Sequence, residues 1–245
     1  MKNFFLVNRH INNLHYKYIM SVRDGIGLYG GTFNPIHVAH LMVAQEIWSH
    51  CRLRRVVFIP SYNPPVKREG IVSFEDRVAM IEMAIGGSPH LQLSEVEAKR
   101  QGPSYTLLTL MEMRRQFPDS ELFFIAGIDT FLDIPNWYLP QQILSATSFI
   151  VTPRPPWHVT DLLQSPFVEV PVGGLEGFEG TDHRASESPT IELPVRGGNR
   201  LILCKVTPLE VSSSTIRELI RLGKDTSRLL HHDVYSYISS RGLYK

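Results

Sequence analysis

Eleven consecutive residues carry the densest chemistry in this chain: Gly30-Gly31-Thr32-Phe33-Asn34-Pro35-Ile36-His37-Val38-Ala39-His40. Gly30 and Gly31 have no Cβ, so a ligand can approach their backbone closely. They fall where a short apolar run ends and a helical period begins. A helix start offers unpaired N–H groups and a partial positive charge, a combination that favours phosphate. His37 and His40 are spaced i,i+3, which sets both imidazoles on one side of the first helical turn, toward that anion. The same residues admit plainer readings: a simple Gly-Gly turn, two surface histidines, or two ligands of one metal ion. A second group, Val211-Ser212-Ser213-Ser214-Thr215-Ile216-Arg217, lies near the C-terminus. Its hydroxyls can cap a helix while the N–H groups they leave free meet phosphate, and the planar fork of Arg217 suits phosphate oxygens. Its plain reading is a capped helix with a solvated charge.

The elements that must position these groups alternate. Short apolar runs at 25–29, 55–60, 90–93, 121–127 and 147–152 read as strands, the second and fourth apolar enough for burial on both faces. Helical periods at 38–51, 73–85, 105–117 and 137–144 separate them. Ser73, with Asp76 three residues on, resembles a capping box. The pattern β-α-β-α-β-α-β-α-β predicts an α/β fold: one Rossmann-like, doubly wound domain with a mainly parallel sheet and its site at the carboxyl ends of the strands. Prolines and glycines break the pattern from 153 to 199, which reads as loops with one helical turn and an edge strand. A last strand at 201–206 and helices at 214–222 and 232–241 form a C-terminal helical part. The expected organisation is an N-terminal appendage over 1–24, with Met20 a possible start, then one domain over 25–245 with a loop-rich insertion at 155–200.

Composition narrows the function. Lys and Arg number 25 against 24 Asp and Glu, so the chain is no globally basic nucleic-acid binder. Two cysteines make neither a disulfide framework nor a structural zinc site and fit a reducing cytoplasm. No apolar run reaches the roughly 18 residues of a membrane span, and residues 1–20 lack the features of a signal peptide. Nucleic acid and membrane are therefore not expected partners, and the oligomeric state stays open.

The eleven-residue string resembles the GGTFDPxHxGH signature of the nucleotidyltransferase superfamily, and 211–217 resembles its ISSTxIR motif. The resemblance runs from about Gly25 to the end and is weakest over 155–200. Within the superfamily the chain is most similar to the bacterial nicotinate-nucleotide adenylyltransferases, through Pro64-Pro65-Val66-Lys67, Pro103-Ser104-Tyr105-Thr106, Gly127-Ile128-Asp129, Asn136-Trp137-Tyr138, Pro153-Arg154-Pro155 and the ending Gly242-Leu243-Tyr244. The resemblance implies transfer of AMP from ATP to nicotinate mononucleotide, giving deamido-NAD and pyrophosphate in NAD biosynthesis. Mg²⁺ is implied with ATP as co-substrate, with no metal held by protein ligands. It implies His37, His40 and Arg217 as catalytic residues. Gly30, Gly31, Thr32, Phe33, Lys67, Gly127, Asp129, Ser212, Ser213 and Ser214 are implied to bind ATP. Tyr105, Thr106, Trp137 and Tyr138 are implied to bind the nicotinate nucleotide. An aromatic platform stacks a flat ring, and N–H groups at a helix start meet its carboxylate.

Ser214 keeps the hydroxyl of the motif's Thr, while two other departures matter: Asn34 stands where the motif has Asp, and Ala39 where it has Gly. They motivate one rival reading, a catalytically inactive nucleotide-binding module. Another is the same reaction on nicotinamide mononucleotide or another phosphate acceptor. A Rossmann dehydrogenase is disfavoured because the glycines lack the G-x-G-x-x-G spacing. A metal site at His37 and His40 lacks an evident third ligand.

Overall fold

Apolar runs too short for a helix become strands, and they assemble into one seven-stranded sheet in the computed structural model, which describes residues 25–64, 70–170, 174–175, 178 and 189–245. The strands are β1 (Ile26–Gly31), β2 (Arg55–Pro60), β3 (Leu91–Leu93), β4 (Leu122–Gly127), β5 (Ser148–Thr152), β6 (Thr190–Pro194) and β7 (Arg200–Cys204). Their order is β3-β2-β1-β4-β5-β7-β6, and every pair is parallel except β6 with β7. The expected appendage at 1–24 and Lys67 lie outside the described residues, as does most of 171–188.

The helices are α1 (Val38–His50), α2 (Phe74–Ile85), α3 (Thr106–Gln116), α4 (Ile128–Leu132), α5 (Pro140–Ala146), α6 (Ser213–Arg221) and α7 (His232–Arg241). Side chains of a strand alternate between faces. Phe123 and Ile125 of β4 therefore join the layer that holds Ala44, Ile47, Met80, Ile81, Ile216 and Val234, from α1, α2, α6 and α7. Leu122, Phe124 and Ala126 join the opposite layer, with Leu107, Leu110, Ile128, Phe131 and Ile143 from α3, α4 and α5. Burial on both faces is why these strands read as unbroken apolar runs. No helix among the described residues is long and apolar enough to cross a membrane.

The chain winds outward from β1 in one direction to β2 and β3, then returns past it to β4 and β5. The gap beyond the carboxyl ends of β1 and β4 is the topological switch point, where such sheets bind ligands. Gly30 and Gly31 end β1, and Gly127 ends β4.

Several elements differ from expectation. The first strand runs two residues further and takes in both glycines. The helix expected at 137–144 starts three residues later, at Pro140, and runs on to Ala146. A 3-10 turn over Ile134–Asn136 is followed by Trp137, Tyr138 and Leu139, and Pro140 then opens α5 at its first position, where a missing N–H costs nothing. Leu139 has φ 53, which breaks any helical continuation. The five-residue α4 and a 3-10 turn over Val96–Lys99 are too short to show a period, and the sequence reading missed both. Between 153 and 199 the expected helical turn is the 3-10 segment Val159–Gln164, and the edge strand is β6.

One buried carboxylate fastens the C-terminal part to the sheet. Asp76, at the start of α2, is 8% exposed. Its Oδ1 accepts from Tyr237 Oη at 2.8 Å and from Arg241 Nε at 3.0 Å, both on α7, and its Oδ2 accepts from Ser73 Oγ at 2.7 Å. Burial acts to raise its pKa, but the bonds from Ser73 and Tyr237 and the charge of Arg241 together hold it below the ordinary 3.8. Replacing Asp76 with Ala strands these donors. It is expected to cost about 2–3 kcal/mol and to lower the thermal midpoint by about 5–10 °C in a calorimetric scan. Tyr237→Phe, which removes one of the three bonds, is expected to cost about 1 kcal/mol.

Candidate active site

His37 and His40 come together as the sequence predicts. His37 is the N-cap residue of α1, and the two rings stack with centroids 3.7 Å apart and planes 28° apart. His40 Nδ1 accepts from the backbone N–H of His37 at 3.3 Å. In a neutral ring the proton then resides on Nε2, which makes His40 a directed donor. Tyr29 and Phe33 meet the His40 ring edge-on, with centroids at 6.0 and 5.1 Å, and fix its plane. His37 is 4% exposed, and its Nδ1 has no partner among the described residues. Burial, and after it the charge of Arg154, lowers the His37 pKa to about 4. Burial, then His37, then Arg154 hold His40 well below the ordinary 6.5. Both rings are neutral near pH 7. The stack and the occupied Nδ1 also argue against a shared metal ion. No group of three or more His, Cys, Asp and Glu among the described residues is arranged to hold one.

The loop from Thr32 to His37 is held from outside. Its Phe33 adopts φ 50, a conformation uncommon for a bulky residue, and its ring is 3% exposed beneath His40 and against the Gly31 backbone. A Cβ on Gly31 would lie 3.0 Å from that ring, so glycine keeps the turn tight. The Phe33 side chain therefore packs under the turn. Arg77, fully buried on α2, donates from Nη1 to Thr32 O at 2.9 Å. Asn34 is 3% exposed and uses its whole amide. Nδ2 donates to Gly70 O at 2.9 Å, while Oδ1 accepts from Val72 N at 3.2 Å and Tyr244 Oη at 2.8 Å. An ionised Asp lacks the donor for Gly70.

The second motif docks on this loop. Arg217 Nη1 donates to Asn34 O at 2.8 Å, and Ser213 Oγ donates to Pro35 O at 2.8 Å. Ser212 is the N-cap of α6, accepting from Thr215 N at 3.1 Å. Ser214 Oγ accepts from Arg217 Nη2 at 3.4 Å.

At the end of β4, Gly127 is crossed by an ion pair. Arg154 donates from Nη2 to Asp129 Oδ2 at 2.5 Å and from Nε to Asp129 Oδ1 at 3.1 Å. A Cβ on Gly127 would lie 2.5 Å from Asp129 Oδ1, so a larger residue would push the ion pair aside. The helix α4 begins directly after Gly127 and carries Asp129 in its first turn.

On the other side of the crevice, α3 starts at Thr106. Its N-cap Tyr105 supplies no side-chain acceptor, so the N–H groups of Thr106 and Leu107 have no partner among the described residues. Helices α2, α6 and α7, by contrast, are capped by Ser73, Ser212 and His231. Tyr105 and Tyr138 stack at 4.5 Å and 23°. Trp137 meets Phe124 edge-on at 6.1 Å and donates from Nε1 to Asp133 Oδ2 at 2.9 Å. The ring of Phe124 also lies 3.3 Å from where a Gly30 Cβ would stand, so one side chain links the two halves of the crevice.

Four residues were absent from the predicted site: Arg77, Arg154, Asn34 as a hub, and Tyr244. Arg77 had a signal, a charge on the apolar stripe Phe74, Arg77, Ile81, Ile85. Arg154 lies in Pro153-Arg154-Pro155, where no local pattern assigns it a partner. Asn34 and Tyr244 are 210 residues apart, and no local rule pairs them.

The family model for cytidylyltransferase-like proteins matches residues 28–219. A probable nicotinate-nucleotide adenylyltransferase of Geobacter metallireducens is 37% identical over 219 residues, covering 89% of this chain and 97% of its own. One of Pelobacter propionicus is 38% identical over 220 residues, with the same coverages. In structure, the nicotinic acid mononucleotide adenylyltransferase of Plasmodium falciparum complexed with NaAD superposes with a TM-score of 0.67. Its sequence is 19% identical, and the match covers 91% of this chain and 98% of that one.

The folded pKa of His37, about 4, lies below its ordinary 6.5. Its contribution to stability is therefore complete above pH 6.5 and is lost as the pH falls through about 4. That contribution has an upper limit of about 3 kcal/mol. Imidazole NMR is expected to show His37 unprotonated from about pH 8 to about pH 5. His37→Asn is expected to flatten the fall of the thermal midpoint between pH 6.5 and 4.

Proposed function

The chain belongs to the nicotinate-nucleotide adenylyltransferases of the cytidylyltransferase-like family, and from this we infer that it transfers AMP from MgATP to the 5′-phosphate of nicotinate mononucleotide. The products are deamido-NAD and pyrophosphate, a step of NAD biosynthesis. The observation that carries the site assignment is the junction of the two motifs: Arg217 and Ser213 bond the backbone of Asn34 and Pro35 from 183 and 178 residues away.

The substrate phosphate is itself the nucleophile. An oxygen of nicotinate mononucleotide attacks the α-phosphorus, and the bond to the pyrophosphate oxygen breaks. The protein's part is positioning and stabilisation of charge. In this reading the neutral His40 gives the Nε2 proton as a hydrogen bond to the α-phosphate, with His37 beside it. Arg217, already anchored through Nη1, turns its remaining N–H groups to the β- and γ-phosphates, next to Ser212–Ser214. Gly30 and Gly31 let the nucleotide lie against the sheet edge. Gly127 and Asp129 lie at the nucleoside side, where Arg154 sets the Asp129 carboxylate. Mg²⁺ enters with the triphosphate as part of the substrate and offsets its charge.

The acceptor lies at α3. Uncapped N–H groups at Thr106 and Leu107 suit the nicotinate carboxylate, and Tyr105, Trp137 and Tyr138 supply flat surfaces for its ring. An amide in place of the carboxylate brings an NH₂ that cannot accept from those donors.

Pyrophosphate release is the direct measurement. With ATP and Mg²⁺ the purified protein is expected to turn over nicotinate mononucleotide and to prefer it strongly over nicotinamide mononucleotide. His40→Ala is expected to lower kcat by about 10²–10³-fold, as for loss of one preorganised donor. Release with neither acceptor excludes the reading, and preference for the nicotinamide form removes the assigned role of Thr106.

A further inference from the structure

The penultimate residue of the chain reaches the centre of the site loop. After α7, Gly242 ends the helix at φ 62, and Leu243 N bonds Ile238 O at 3.1 Å, a turn that sends the chain back across the helix end. Tyr244 follows at φ 66, a conformation rare for a bulky residue and kept only where surroundings impose it. Its ring packs with the layer that holds α1, α2 and α6, and its hydroxyl donates to Asn34 Oδ1 at 2.8 Å. Burial raises the phenol pKa, so it remains a donor.

Asn34 is three residues before His37, and its own carbonyl anchors Arg217. An amide can be turned end for end at little cost in shape. Two donors, Val72 N and Tyr244 Oη, converge on Oδ1 and fix its sense, which leaves Nδ2 aimed at Gly70 O. The same phenol lies within the fields of Arg217 and Arg77, the two arginines that bond carbonyls of this loop. Removing the hydroxyl leaves the ring packing intact but takes one of the two restraints from the amide. The consequence falls on Arg217 and on the entry to α1 rather than on the α3 side, since no bond or ring contact joins Tyr244 to Tyr105, Thr106 or Trp137 among the described residues.

We propose that Tyr244 is a positioning residue for adenylyl transfer, acting through the Asn34 amide to hold the His37–His40 turn and Arg217 in register. The proposal rests on the reaction assigned above.

Tyr244→Phe in the full-length protein tests it. The variant is expected to lose about tenfold in kcat, the scale of a small misplacement far from the chemistry. KM for nicotinate mononucleotide should stay within about twofold. The thermal midpoint should drop by only about 2–4 °C, as for one lost hydrogen bond. In an Asn34→Ala background the same substitution should cost kcat nothing further, because its route is already cut. The ¹⁵N signals of His37 and His40 in the ligand-free protein should shift between wild type and Tyr244→Phe. A wild-type kcat in Tyr244→Phe, an equal loss in both backgrounds, or unshifted imidazole signals overturns the proposal. A wild type that releases no pyrophosphate overturns the reaction instead, and the imidazole signals then decide the positioning role by themselves.

Discussion

Buried backbone carbonyls need hydrogen-bond partners, and those of the turn between β1 and α1 find them in three other parts of the chain. Gly31 O accepts from Ser61 N at the end of β2, and Thr32 O from Arg77 on α2. Asn34 O and Pro35 O accept from Arg217 and Ser213 on α6. The Asn34 side chain adds Gly70, Val72 and the C-terminal Tyr244. Docking of the C-terminal part thus completes the hydrogen bonding of the turn. That requirement makes the two motifs one site. It also explains why α7 is clamped to α2 through Asp76, since a loose α7 releases Tyr244 and, through it, the turn.

Electrostatics follow from the same burial. Burial, with the charge of Arg154 adding to it, keeps both imidazoles neutral near neutral pH. Neutral histidines donate single, aimed hydrogen bonds, and the fixed positive charge is left to arginines and to the helix end. Arg217 and Arg154 are each tied on one side, to a carbonyl and to Asp129 respectively, so each is oriented before any ligand arrives. Preorganised donors of this kind cost little reorganisation when charge develops. The α3 side is built differently. There the cap is missing, and bare N–H groups beside stacked tyrosines take the place of charged side chains.

The strands and long helices were legible because their signals are local. Apolar runs at 55–60 and 121–127 and the period of α7 appear within a few residues, and α7 begins and ends where expected. The helix expected at 137–144 starts only at Pro140, because the left-handed Leu139 before it cannot be helical and Pro140 suits a first position. Helix α4 went unseen because five residues hold little more than one turn. The strand β6 hides among prolines and glycines because its apolar residues are bounded by a loop, and only pairing with β7 makes it a strand.

By itself, the sequence determined the class of the sheet and the pairing of His37 and His40 on one turn after the first strand. Those features depend on residue type and short spacing, which folding does not alter. The tertiary structure decided which residues hold that turn. It gave Asn34 a donor to Gly70 that an ionised Asp lacks, set the Phe33 ring against His40, paired Asp129 with Arg154, and brought Tyr244 across 210 residues to the loop. Each of these is a hydrogen bond or packing contact between segments distant in the chain. Such partners are chosen by the geometry of the assembled layers, and no periodicity along the sequence encodes them.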